Sequence, residues 1–202
     1  MTRVPLAKEQ VGSGKLILNV EKVALTEEQF FQLCCGNRDL RMELTAQKEL
    51  IIMSPVGFKS GWRENFLSTD LTIWARQDGT GIVCSSTTAY RLPNSAIRGP
   101  DASWVRRDRL AIFSKEELEK FAHLCPDFVA EVMSPSNTLA ELHDKMAEYI
   151  ANGAQLGWLI DPYEARVYIY RPGKSAECLE NPTTISGDPI LPGFVFNVSK
   201  IR

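Results

Sequence analysis

Three charged residues stand where their surroundings read as protein core, and together they suit one kind of chemistry. Glu131 is the only charge in Phe128-Val129-Ala130-Glu131-Val132-Met133, a run with the composition of a strand buried on both faces. A lone carboxylate there is costly unless it is paired, protonated or bound to a metal; a structural salt bridge is the plainer alternative. Asp101 follows Gly99-Pro100 and leads into the apolar Ala102-Ser103-Trp104-Val105. Alone it reads as a turn-capping Asp. Lys145 lies about 90° from the centre of a helical stripe made by Leu139, Leu142, Met146, Tyr149 and Ile150. Alone, a lysine on that flank snorkels to water. Taken together, two strand-borne carboxylates hold a hard divalent cation through oxygen. A lysine from the following helix then positions a water or offsets negative charge on a phosphate.

The elements that must carry these residues follow from patterning. Thr26-Glu27-Glu28-Gln29 and Ser114-Lys115-Glu116-Glu117 are capping boxes; they open helices ending near Gly36 and Leu124. Leu40–Leu44 alternates apolar and polar residues and Leu50–Met53 is apolar, which together predict a hairpin. Phe66, Leu67, Leu71, Ile73 and Trp74 predict a helix over about 65–76, with Ile82-Val83-Cys84 a strand after it. The strand at 128–133, the helix from Thr138 to Asn152 and strands at 158–160 and 167–170 make a strand–helix–strand crossover, which requires parallel pairing. The expected architecture is α/β with one mixed sheet, in one domain preceded by an N-terminal extension, residues 1–37, that carries the first short helix.

Composition narrows the function. In 202 residues, 23 Lys and Arg face 25 Asp and Glu, a formal charge of −2. A protein that coats nucleic acid by bulk charge would be strongly basic, so any such contact must use a local patch. Arg98, Arg106, Arg107 and Arg109 flank Asp101 in sequence and are candidates for tracking phosphates, with a solvated loop as the equal alternative. No apolar run approaches the ~18 residues of a membrane span, and Lys8, Glu9, Gln10 and Lys15 fall where a signal peptide would be apolar. Five cysteines, two of them adjacent at Cys34 and Cys35, fit reduced thiols and a cytoplasmic location. Two histidines, His123 and His143, without any CxxC make a structural zinc site unexpected. Gly12-Ser13-Gly14-Lys15 lacks the first glycine and the Ser/Thr of a phosphate loop. The four tryptophans are scattered, which favours packing over a base-stacking platform.

The chain resembles the Uma2 family of restriction-endonuclease-like proteins. The resemblance rests on Arg41-Met42-Glu43, Ile51-Ile52-Met53-Ser54-Pro55, Gly99-Pro100-Asp101-Ala102-Ser103-Trp104-Val105 and Cys125-Pro126-Asp127-Phe128. It continues through Glu131-Val132-Met133-Ser134-Pro135-Ser136, Lys145-Met146-Ala147-Glu148-Tyr149, Asn152-Gly153-Ala154, Gly157–Pro162 and Leu191-Pro192-Gly193-Phe194. These motifs span about residues 38–196 in order. The resemblance implies the PD-(D/E)XK nuclease fold over 38–202: a central mixed sheet flanked by helices, with an N-terminal helix and hairpin. It further implies an Mg²⁺ site that Mn²⁺ can also fill, and hydrolysis of phosphodiester bonds in nucleic acid, DNA above all. By position Asp101 matches the Asp of the PD element and Glu131 the acidic residue of the next strand, with the Val132 carbonyl as a third metal oxygen. Met133 stands where the superfamily carries its lysine; the family supplies that lysine from the following helix, at Lys145. Glu43, in the Arg-x-Glu element, is a further candidate to reach the site. A single site cuts one strand, so duplex cleavage implies a homodimer.

The chain departs from the family in three places. Val56-Gly57-Phe58-Lys59 replaces a Thr-Gly-Gly-Glu stretch, Asn137 replaces an Asp, and Lys48 stands where a Gly often closes the first hairpin. The competing expectation is a catalytically inactive nuclease fold that binds nucleic acid or a protein partner; divalent-metal binding separates the two.

Overall fold

The computed structural model describes residues 14–202, so Gly12, Ser13 and the polar stretch at Lys8–Gln10 lie outside the described residues. The chain opens with β1 (Lys15–Asn19) and α1 (Glu27–Gly36), followed by the hairpin β2 (Arg41–Leu44) and β3 (Glu49–Met53). The long helix α2 (Phe58–Asp78) leads to β4 (Gly81–Cys84), the short β5 (Tyr90–Arg91) and β6 (Ile97–Arg98), and β7 (Ala102–Arg106). Two single turns, α3 (Arg107–Leu110) and α4 (Lys115–Leu118), precede β8 (Phe128–Val132), α5 (Leu139–Ala151) and β9 (Leu156–Asp161). The chain ends through β10 (Arg166–Tyr170), β11 (Glu177–Glu180), β12 (Thr184–Ser186) and β13 (Val195–Asn197).

The central sheet has six strands in the order β11-β10-β9-β8-β7-β4. Only β8 and β9 run parallel; every other neighbour in this sheet is antiparallel. The parallel pair is the one bridged by α5, as a crossover through a helix demands. Both faces of the sheet are covered. Phe128, Ala130 and Val132 of β8 join Leu67 and Leu71 of α2 and the C-terminal Phe194 and Phe196 in one core cluster. Val129, on the opposite face, packs with Leu142, Met146 and Tyr149 of α5. Strand alternation therefore sends Glu131, two residues from Val129, toward α5. Gly157 of β9 permits the close approach of that helix, because a Cβ there would overlap the end of the buried Met146 side chain.

A second, antiparallel sheet, β1-β3-β2-β6-β5, lies beside this core. Its β1 pairs along its whole length with β3, from Lys15 opposite Met53 to Asn19 opposite Glu49. Phe30 of α1 is fully buried against Met42, Leu44 and Leu50 of the hairpin. Residues 15–37 thus pack directly on the first hairpin.

Both expected capping boxes form, at Thr26 and Ser114. The second opens only one turn, Lys115–Leu118, rather than a helix reaching residue 124. Helix α2 begins seven residues before the expected start. Its first turns bury Ser60, Arg63 and Glu64, a polar face that hydrophobic periodicity cannot reveal. Trp104 and Trp158 are core residues, whereas Trp62 is 40% exposed. No helix among the described residues is long and apolar enough to cross a membrane.

Candidate active site

Asp101 precedes β7 and is held to the neighbouring strand twice: its N–H donates to Ala130 O at 3.0 Å, and its Oδ2 accepts the Val132 N–H at 2.8 Å. Glu131 sits one residue before Val132 on β8. Adjacent strands therefore fix both carboxylates at the same end of the sheet. Lys145 comes from α5, between Leu142 and Tyr149 on the helix's buried side. Its Nζ lies 2.8 Å from Glu131 Oε1 and 2.9 Å from Glu43 Oε1, and donates to Gly99 O at 3.3 Å. The snorkelling alternative is not what forms; the ammonium turns inward, where two carboxylates compensate it. Tyr149, one turn on, donates its hydroxyl to Glu131 at 3.3 Å.

Glu43 reaches the cluster from β2. Its Oε1 accepts from Gly99 N–H at 3.1 Å as well as from Lys145, and its Oε2 from Arg98 Nη1 at 3.1 Å. Arg98 also holds Glu148 at 2.6 Å. Both oxygens of Glu43 are therefore engaged, which ties the hairpin to β6 and α5. Arg41, on the same strand, donates to Asp101 Oδ1 from Nη1 at 3.2 Å and from Nη2 at 3.3 Å.

The structure also brings in Glu64 from α2, a residue that sequence patterning passes over. It is buried beside Asp101, Arg41 and Glu131, and no ion pair to it is found among the described residues. Arg41, Glu43, Glu64, Asp101, Glu131 and Lys145 line one cavity of about 500 Å³, together with Val132, Lys15 and Glu141. The wall formed by α5 and that formed by β1 are joined across it by the Lys15–Glu141 ion pair, at 3.4 Å.

Charge in this cavity is out of balance. Glu43, Glu64, Asp101 and Glu131 are all buried, and Arg41, Arg98 and Lys145 are the cations among them. Glu148 takes up part of Arg98. The effect on proton affinity differs by site. Burial would raise the Glu43 carboxyl, but the Lys145, Arg98 and Arg41 charges hold it down at about 2. Glu131 goes the other way: burial, reinforced by the Asp101 and Glu43 charges, outweighs Lys145 and pushes it up to about 7. Glu64 rises to about 7 through burial and the neighbouring Asp101 and Glu131 charges. Burial opposes the charge on Lys145, yet Glu131 and Glu43 raise its affinity for the proton above the ordinary lysine range. Four buried carboxylates thus share too few cations, a costly arrangement, yet among the described residues no three His, Cys, Asp or Glu side chains are grouped as a ready-made metal site.

The remaining candidates separate in space. Arg98 lines the cavity, already paired. Arg106, Arg107 and Arg109 are not brought to it: five strand residues place Arg106 about 16 Å from Asp101 along β7. There Arg106 pairs with Asp108 and Arg109 with Asp127. His143, on the other flank of α5, hydrogen-bonds Tyr170 rather than facing the cavity. Asn137 accepts from the Ser134 hydroxyl at 2.6 Å and the Ser134 N–H at 3.1 Å. An Asp in its place would accept the same bonds, so this departure preserves the turn before α5. Lys48 adopts φ 63°, the left-handed conformation that glycine favours at the turn of this hairpin.

The Uma2 family profile, described as "Putative restriction endonuclease", matches residues 27–199. The chain belongs to the Uma2 family. Among curated proteins none matches it. Among solved structures, a protein from Anabaena variabilis titled a "putative nuclease belonging to DUF820" is similar, with a TM-score of 0.68 and 18% sequence identity. The alignment covers 79% of this chain and 88% of that one, a likeness of fold. Uma2 membership supports a nuclease-like function, and the mixed sheet flanked by α2 and α5 is the architecture that the resemblance implied.

Proposed function

We propose that this Uma2 protein is a divalent-metal-dependent endonuclease that hydrolyses phosphodiester bonds, with DNA as its substrate. The observation that carries the reading is the unbalanced cluster itself, in which Asp101, Glu131 and Glu64 converge on one cavity beside a protonated Lys145. Burying carboxylates without enough counter-charge is expensive, and an inactive scaffold would gain nothing from retaining them.

The cation of this reading is Mg²⁺, with Mn²⁺ as a substitute: Asp101 and Glu131 would hold it, with Glu64 and the Val132 carbonyl as further oxygens, once the Arg41 contact on Asp101 opens, since the carboxylates are not grouped as a ready-made site. When bound, the cation lowers the pKa of a coordinated water and offsets charge on the scissile phosphate. The chain's own groups do the rest. Lys145 stays protonated, so it acts as a donor that orients the attacking water and stabilises developing negative charge, and not as the base. Glu43 fixes the Lys145 ammonium in place, and Tyr149 holds the Glu131 carboxyl. A single such site cuts one strand, so cleavage of a duplex would use two protomers.

The test is cleavage of supercoiled plasmid, single-stranded DNA and RNA with Mg²⁺ or Mn²⁺, comparing the natural protein with Glu131→Ala and Lys145→Ala. Activity that needs the metal and disappears in both folded variants supports the proposal. Full activity in either variant removes that residue from the mechanism. No cleavage, together with no divalent binding, moves the reading to an inactive nuclease fold.

A further inference from the structure

Asp101 has two carboxylate oxygens, and both are already occupied. Oδ2 accepts the Val132 N–H, while Oδ1 takes the two donors of Arg41. A cation reaching Asp101 on its side-chain-paired oxygen must therefore compete with Arg41. The other cations of the cavity are more firmly committed: Arg98 joins Glu43 to Glu148, Lys145 joins Glu43 to Glu131, and Lys15 joins β1 to α5. Arg41 is also the most open of them, its side chain 28% exposed against 12–13% for the others. One anchor would survive displacement, since Nη2 donates to Gly99 O at 2.7 Å.

We propose that Arg41 is a substrate-binding residue, held in reserve on Asp101 and transferred to a phosphate oxygen of the nucleic acid when a metal takes Oδ1. This inference rests on the metal-dependent hydrolase reading. Its physical basis is the guanidinium fork, whose two parallel donors match phosphate as well as carboxylate. A part-buried guanidinium deprived of its counter-charge is costly, so an incoming phosphate meets a receptor already partly desolvated and still open to solvent on one side. In the resting protein the same contact keeps Asp101 compensated.

The role predicts opposite signs for two bindings, measured on Arg41→Gln and Arg41→Lys. Mn²⁺ affinity, followed by calorimetry without substrate, should rise about tenfold in Arg41→Gln, because a competing positive charge beside the cation is gone. Affinity for a fluorescent single-stranded oligonucleotide, measured with Ca²⁺ bound, should fall about 10- to 100-fold, the scale of a lost charged hydrogen-bond pair. Arg41→Lys should lie between, keeping charge without the fork. A merely structural Arg41 would lower both affinities together, and that result would overturn the proposal, as would unchanged oligonucleotide affinity. If Arg41→Gln does not fold, the Arg41→Lys pair of measurements decides by the same signs. If the natural protein binds metal and oligonucleotide with these signs but cuts nothing, the hydrolase reading fails while the assignment of Arg41 as phosphate receptor stands.

Discussion

The most quantitative consequence of the cluster concerns Glu131 in the metal-free protein. Its carboxyl titrates at about 7 in the folded state instead of 4.5. At ~1.4 kcal/mol per pH unit, that difference is worth about 3 kcal/mol. The fold favours the protonated form, so this stability is fully present below pH 4.5 and is lost as the pH rises through 7. Glu131→Gln has the same shape and no charge to lose. Its Lys145 keeps Glu43 as a partner at 2.9 Å, and loss of the Glu131 contact shifts the curve without adding a slope over this range. Thermal melts in EDTA should therefore show the gap between variant and natural protein moving in the variant's favour from pH 5 to pH 8. Part of the loss has already occurred at pH 5, so the movement over this range is about 2.5 kcal/mol, or about 5–10 °C at 2–4 °C per kcal/mol for a chain of this size. A gap that stays constant with pH would show that burial does not raise Glu131. A gap that moves against the variant would show that Lys145 dominates it.

Other consequences follow from the same geometry. Divalent metal at a hundredfold excess over its pH 8 Kd should stabilise the protein by about 3 kcal/mol at pH 8 and by less at pH 5, read as a Tm shift that vanishes in Asp101→Asn. Lys145→Met leaves Glu131 and Glu43 without their shared cation and should lower stability by about 3–5 kcal/mol in EDTA at pH 8; urea unfolding would measure it, and an unchanged midpoint would refute the buried pairing. Lys48→Gly relieves a left-handed residue in the first hairpin and should stabilise by about 1 kcal/mol, with a lower midpoint contradicting the strain.

Asp101, Glu131 and Lys145 were legible in sequence because each breaks a local pattern: a charge in an apolar strand, an acid entering one, a lysine at the edge of an apolar stripe. The structure brings all three together. Glu64 and Arg41 break nothing. Glu64 follows Lys59 and Arg63 in a half of α2 whose buried face is polar, so its inward direction is set by tertiary packing. Arg41 alternates correctly on a strand and reads as a solvent-facing residue. The arginines after Asp101 show the opposite effect. They are neighbours in sequence, but β7 carries them to its far end, where Arg106 pairs with Asp108 and Arg109 with Asp127. The second sheet was only half visible, since β5 and β6 are two residues long and no periodicity exists at that length.

The central claim is that Asp101 and Glu131 hold a divalent cation beside Lys145. A crystal soaked in Mn²⁺ and measured for anomalous scattering tests it most directly. The account predicts a single strong peak within coordination distance, about 2.0–2.6 Å, of Asp101 Oδ1 and a Glu131 oxygen, with Arg41 displaced from Asp101. Strong peaks elsewhere and none in this cavity, at Mn²⁺ concentrations that saturate binding in solution, would contradict it.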